Sequence, residues 1–246
     1  QAEDGIRDSV ASRGLGDVYK RQVEVFLLSR NSADTGLRIF NSIQHYKLNI
    51  KKAAFCSGSS PHIYANSFGT NLFLSTELED CKSSLSCGIA SARILKSNNV
   101  SPECKQLRVA FDADSVIFSD ESQIIFDNYG LEAFNKHESK FANVPLSKGP
   151  FAPFLNELCE IQKNFPQRDC PIRIALVTAR SSPSHKRVIK TLRDWNIRID
   201  ESLFLEGMEK KNFLKAFKAD IFFDDRIENC ISASSEVLAG HVVNIN

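Results

Sequence analysis

No CxxC pair occurs in this sequence, and its seven cysteines (Cys56, Cys81, Cys87, Cys104, Cys159, Cys170 and Cys230) are odd in number and scattered. That pattern argues against a disulfide framework and against a thiolate zinc site. It leaves buried or incidental thiols in a reducing, cytoplasmic setting. The five histidines (His45, His62, His137, His185 and His241) also lack metal-ligand spacing and read as surface or packing residues. No apolar run is long enough to span a bilayer, and no secretory signal is visible. Neither sign of charge dominates: 31 bases against 30 acids leave a net charge of +1, with the bases thinly spread. Nucleic acid and an anionic membrane are therefore not expected as partners. The polar loop Ser57-Gly58-Ser59-Ser60 lacks a GK[ST] ending and is not a P-loop. What is present is an apolar content of 42%, ample for a buried core.

Residues 1–22 read QAEDGIRDSVASRGLGDVYKRQ. Asp17 to Gln22 is what a sequencing-library transposase adapter encodes when translated, so the segment is read as adapter-derived and non-structural. The remaining 246 − 22 = 224 residues suffice for one large domain or two small ones.

An internal repeat organises what remains. Glu24 to Cys81 aligns without a gap on Arg173 to Cys230, at a constant offset of 178 − 29 = 149 (Ser29 on Thr178). Each copy opens on an apolar strand, Val25–Leu28 or Ile172–Val177. A polar turn follows, then a helix with apolar residues at helical spacing (Ile39, Ile43, Tyr46; Val188, Leu192, Trp195). A second short apolar stretch comes next, at Ala53–Phe55 or Ser202–Leu205, then a second helix and a third strand, Leu72–Leu74 or Ile221–Phe223. Short apolar runs alternating with helices predict parallel strands in βαβ units, a Rossmann-like α/β fold. Between the copies lie a strand at Leu107–Phe111 and a helical insertion at about 120–165, broken at Pro145–Pro153.

Four features stand in fixed order in the second half. Val109-Ala110-Phe111 runs out into Asp112-Ala113-Asp114. Leu176-Val177 ends at Thr178, followed by Ala179 and Arg180. Lys210 comes next, and Ile221-Phe222-Phe223 ends in Asp224-Asp225. Acids at the carboxyl ends of parallel strands lie where α/β sheets bind ligands. Four carboxylates gathered there repel one another and require a cation, and all-oxygen ligands favour Mg²⁺. A phosphate can then approach. Asp112 has the chemistry of a nucleophile, and Asp114 that of a general acid and base. Thr178 and Lys210 can hold the transferring oxygens. A DxD alone is weak, since strand ends often carry acids; the ordered set of four is specific.

The ordered motifs resemble those of haloacid-dehalogenase-like phosphatases. More closely, AFDADSVIFSDESQ, PLSKGPFAPFL, PIRIALVTARSSPSHKRVIKTLRDWNI, LFLEGMEKKNFL and IFFDDR are similar to the cytosolic 5′-nucleotidase I family. LLSRNSADTGLRIFNSIQHYKLNI and GSSPHIYANSFGTNLFLS in the first half join them, so the resemblance covers residues 23–246. It implies a cytosolic, Mg²⁺-dependent enzyme hydrolysing nucleoside 5′-monophosphates, notably AMP, with a small-molecule nucleotide as its partner. It further implies Asp112 as nucleophile, Asp114 as acid/base, and Thr178 and Lys210 on the phosphate. Mg²⁺ would be held by Asp112, the Asp114 carbonyl, and Asp224 or Asp225. The family usually has glycine where this chain has Ala113, a harmless change unless that backbone needs positive φ. The family also continues upstream of the first copy.

The first copy places Pro61 opposite Lys210, and Ser75 and Thr76 opposite Asp224 and Asp225. Residues 23–100 are therefore expected to form a related, degenerate α/β half, and residues 101–246 the catalytic core with its helical cap. Ser119 and Asp120 read either as a helix cap or as contacts near the nucleoside, and Arg180 as a turn residue or a phosphate contact. Phe111, Phe118, Phe222 and Phe223 read as core. A phosphatase on another small ester, or a nucleotide binder without turnover, are the competing readings. The sequence does not fix the oligomeric state.

Overall fold

The computed structural model describes residues 23–96 and 106–244. The adapter-like segment 1–22 and Cys104 lie outside the described residues. Two compact units are found, divided between Thr70 and Asn71.

The first unit contains strands β1 (Phe26–Ser29) and β2 (Lys52–Phe55), paired in parallel, with helix α1 (Ala33–His45) between them in sequence. The side chain of Ser32 caps α1 by accepting from the Thr35 N–H. Of the apolar face expected from the spacing, Ile43 is buried and Ile39 half-buried, while Tyr46, just past the end of α1, is exposed. Where a second helix was expected, Pro61–Tyr64 forms a single 3-10 turn. Pro61, lacking an N–H, suits the start of a turn.

The second unit contains one seven-stranded sheet in the order β3-β4-β9-β8-β5-β6-β7. Its strands are β3 (Leu72–Ser75), β4 (Ala90–Ile94), β5 (Leu107–Phe111), β6 (Ile172–Thr178), β7 (Glu201–Phe204), β8 (Ile221–Asp224) and β9 (Leu238–His241). All neighbours are parallel except β4 and β9. Helices α2 (Leu78–Ser86), α3 (Glu121–Lys140), α4 (Ala152–Gln162), α5 (His185–Asp194), α6 (Lys211–Phe217) and α7 (Ile227–Ala233) connect them. The sequence reading ran the degenerate half to residue 100. In the structure, β3 and β4 share a unit with the 106–244 segment, because β4 joins the sheet through Arg93↔His241 and Ile94↔Gly240.

The repeat persists in the backbone. At the same offset, β2 falls on β7 and β3 on β8, and the register Phe26↔Lys52 matches Ala175↔Glu201. Left-handed residues recur as well: Lys47 with Asn196, Ser57 with Glu206, Gly58 with Gly207, and Gly69 with Lys218.

Alternation along the central strands explains the core. Phe111, Leu176 and Phe223 face one side; Ala110, Val177 and Phe222 face the other. On the first side, Phe111 stacks on Phe223 with centroids 5.5 Å apart, and Phe151 lies 4.8 Å from Phe223. Phe111, Phe118, Phe222 and Phe223 are fully buried, as expected for core residues. The insertion forms α3, which is kinked at Gly130 (φ 77°) into two helical stretches, and α4, with a break between them; Pro153 sits in the first turn of α4.

Candidate active site

The chain runs from β5 to β6 on one side of the sheet, and β8 flanks β5 on the other. Such a switch in direction opens a crevice at the carboxyl ends of the strands. Asp112, Thr178 and Asp224 all occupy that edge, at the ends of three adjacent strands. The Asp112 N–H donates to the Phe223 carbonyl at 2.8 Å, which locks the two acidic ends together.

The Lys210 ammonium lies 2.8 Å from an Asp112 oxygen and 2.7 Å from an Asp224 oxygen. It is buried, as are both partners. Burial lowers the lysine pKa, but Asp112 and Asp224 outweigh it and hold the ammonium above its ordinary value. Burial pushes the Asp112 carboxyl well above the usual range; Lys210 opposes this, and Asp224 and Asp225 add to it. Asp225 is pushed up to about 6 by burial and by its neighbour Asp224. Asp224 is fully buried and accepts from Lys210, the Arg226 N–H and the Asn229 amide, which reaches both its oxygens at 3.1 and 3.0 Å.

One carboxylate oxygen each from Asp112, Asp224 and Asp225 lies within 4.8 Å of the others, and among the described residues this is the one such group of three. Three acids against one lysine leave excess negative charge, which adds to burial in raising Asp112 and Asp225 and fits a hard divalent cation with oxygen ligands.

After Asp112 the backbone makes a wide turn, Ala113–Ile117, closed by the Phe118 N–H on the Ala113 carbonyl at 2.9 Å. Ser115 takes a left-handed conformation there, with φ 60°. Ala113, where glycine is usual in the resembled family, does not have positive φ, so its methyl group costs nothing. The turn is strapped by residues 147–151: Ser119 N–H to Ser147, Gly149 N–H to Ile117 and Phe151 N–H to Val116, at 2.8–2.9 Å.

Thr178 is buried, and its Oγ1 accepts from the Arg180 N–H at 3.1 Å, which leaves the hydroxyl proton available to a ligand. Arg180 does not point into solvent. Its Nε and Nη2 grip both oxygens of Asp114 at 2.8 and 2.7 Å, and Nη1 donates to Glu138 of α3. Glu138 also accepts from Ser122 and Arg187, both at 2.9 Å. Ser119 and Asp120 are half-buried where α3 begins. Asp120 occupies the cap position, and the Ser119 hydroxyl has no hydrogen-bond partner among the described residues. Sequence reasoning missed Glu138, Arg187, Asn229 and Gly149. The first three look like ordinary helix-surface residues until their partners are known.

Parallel strands around a switch point, with paired acids, a hydroxyl and a lysine at one edge, define a Rossmann-like α/β protein of haloacid-dehalogenase type. A model of the 5′-nucleotidase family matches residues 12–245, and the chain belongs to that family. It is 39% identical over 222 residues to human cytosolic 5′-nucleotidase 1B, covering 87% of this chain and 36% of that protein. That likeness places it with the cytosolic 5′-nucleotidase I family; it spans about a third of that relative's length. No solved structure matches.

Proposed function

We propose that this chain carries the catalytic centre of a Mg²⁺-dependent phosphohydrolase that converts nucleoside 5′-monophosphates to nucleoside and phosphate. The observation that supports this most is the Lys210 ammonium between the Asp112 and Asp224 carboxylates, at adjacent strand ends, with Asp225 beside them. AMP as the first substrate rests on the sequence resemblance, as does a cytosolic location. Among the described residues, no helix is long and apolar enough to cross a membrane.

In the first half-reaction, an Asp112 oxygen forms a bond to phosphorus as the bond from phosphorus to the ribose 5′-oxygen breaks. The Asp114 carboxyl gives its proton to that oxygen, which leaves as the nucleoside hydroxyl. In the second, Asp114 takes a proton from water, whose oxygen attacks phosphorus. The bond to Asp112 breaks, inorganic phosphate leaves, and both side chains return to their starting forms. Thr178 and Lys210 hold the phosphoryl oxygens throughout. Mg²⁺, held by Asp112, Asp224 or Asp225 and the Asp114 carbonyl, would neutralise the converging charges and orient the phosphoryl group. Ser119 and Asp120, at the mouth of the insertion, are read as contacts towards the nucleoside. Residues 23–100 are read as the related non-catalytic copy, so changing Asn31 or Arg38 is expected to leave the kinetics unaltered.

The test is phosphate release from AMP with Mg²⁺, set beside EDTA and Asp112→Asn. Release that needs both the metal and Asp112 is expected. Release that persists in Asp112→Asn would refute the covalent route.

A further inference from the structure

We propose that Arg180 is a positioning residue for Asp114, and that Glu138 of the inserted helix α3 locks it in place. The inference rests on the phosphohydrolase reading above and goes beyond it: proton transfer at the site becomes dependent on the seating of α3.

The geometry is specific. Arg180 meets Asp114 through two parallel N–H···O bonds, at 2.8 and 2.7 Å, which fix both the plane and the direction of the carboxylate. A lysine cannot reproduce that fork. Each carboxylate oxygen keeps a second lone pair, so the clamp leaves Asp114 able to exchange a proton with a ligand. The third corner of the guanidinium is held by Glu138, whose side chain is fully buried. The Phe134 ring, also on α3, lies 5.2 Å from the guanidinium carbon. Glu138 is itself fixed by Ser122 at 2.9 Å and by Arg187 of α5 at 2.9 Å. Arg187 reaches back to Glu121, at the start of α3, at 2.7 Å. Charge-assisted hydrogen bonds thus join the proposed acid/base to Glu138 near the end of the inserted helix, and the Arg187–Glu121 ion pair extends the network to its start.

Three of the five N–H groups of Arg180, from all three of its nitrogens, are taken by Asp114 and Glu138. The guanidinium is therefore turned towards Asp114 and α3 rather than towards an incoming phosphate. The role is orientation: Asp114 must face the leaving oxygen within hydrogen-bond reach as the bond breaks.

Leaving-group dependence tests this in the full 246-residue chain. A nucleoside monophosphate releases an alkoxide-like oxygen that needs a proton, whereas p-nitrophenyl phosphate releases nitrophenolate without one. Single-turnover release is measured for both esters with Arg180→Lys and Glu138→Gln. The ratio between the two esters is independent of the folded fraction, so a partly unfolded variant still reports. With Arg180→Lys, nucleoside release is expected to fall about 10- to 100-fold, within the range of general-acid effects, while nitrophenolate release changes less than about 3-fold. Glu138→Gln is expected to shift the same ratio in the same direction, and steady-state KM for the nucleotide to stay unchanged. Equal slowing of both esters, or a rise in KM at constant kcat, overturns the proposal. Asp112→Asn in the same assay separates the layers. If turnover survives it, the covalent route through Asp112 falls and this inference with it; if turnover is lost there yet the two esters slow equally in Arg180→Lys, only this inference falls.

Discussion

Replacing Gly149 by alanine tests whether the turn carrying Asp114 is held by the strap behind it. A Cβ added at Gly149 would lie 2.3 Å from the Phe118 carbonyl oxygen, 2.6 Å from that of Val116 and 2.7 Å from the Phe118 carbonyl carbon. All three are backbone atoms, so no side-chain rotation relieves the overlap, and strap and turn must move apart. Three hydrogen bonds cross that seam, from Ser119, Gly149 and Phe151. At about 1 kcal/mol each they amount to about 3 kcal/mol. The entropy that alanine removes from the unfolded chain returns at most about 1 kcal/mol. A net loss of about 2–3 kcal/mol is expected, a fall in Tm of roughly 4–12 °C for a unit of this size. Urea titration measures it, with the midpoint lowered and the slope unchanged. Because the turn carries Asp114, nucleoside release should also fall in molecules that remain folded. A loss below about 1 kcal/mol would refute the reasoning, since it would mean that the seam opens at little cost.

The acidic cluster predicts that Mg²⁺ raises the Tm of the wild-type chain and that EDTA reverses the rise. Without metal, Asp225→Asn should be more stable than wild type at neutral pH by about 1–2 kcal/mol, because burial and Asp224 disfavour its charged form; an unchanged or lowered urea midpoint would contradict this. Glu138 gives an acid limit. Burial acts to raise its pKa, but Arg180, Ser122 and Arg187 outweigh that and hold it below 4.5, with His137 facing it as well. Its contribution is fully present above the ordinary glutamate value and is lost as pH falls through the native one. The urea midpoint should therefore drop as pH falls below the ordinary glutamate range, and less steeply in Glu138→Gln; equal slopes in the two proteins would exclude Glu138 as the cause. Among the described thiols, Cys87 is exposed and should react promptly with an aromatic disulfide reagent. Cys81, Cys159, Cys170 and Cys230, buried and with raised pKa values, should react only on unfolding; prompt reaction of all of them would contradict the packing.

The strands that carry chemistry were legible because their signal is local. An apolar run that stops at an acid or a hydroxyl marks both the strand and its carboxyl end, and β5 is found at the residues expected, Leu107–Phe111. The repeat was legible for the same reason, since apolar spacing survives where identity does not. β4 and β9 were not legible. Their sequences, ASARI and LAGH, carry little strand character of their own. They are strands because neighbours pair with them, and Gly240 fits because a Cβ there would meet the Phe223 ring at 2.7 Å.

The sequence by itself determined the α/β class, the order of the motifs and which acids, hydroxyl and lysine could serve a phosphate. Each of those rests on a pattern within a few residues. The tertiary structure alone decided that Arg180 grips Asp114 across 66 positions and Glu138 across 42. It also decided that Lys210 stands between Asp112 and Asp224. A charged side chain looks the same in sequence whether solvated or paired. Only the strand order and the packing of α3 set the partner at hydrogen-bond distance and remove the water that would otherwise replace it.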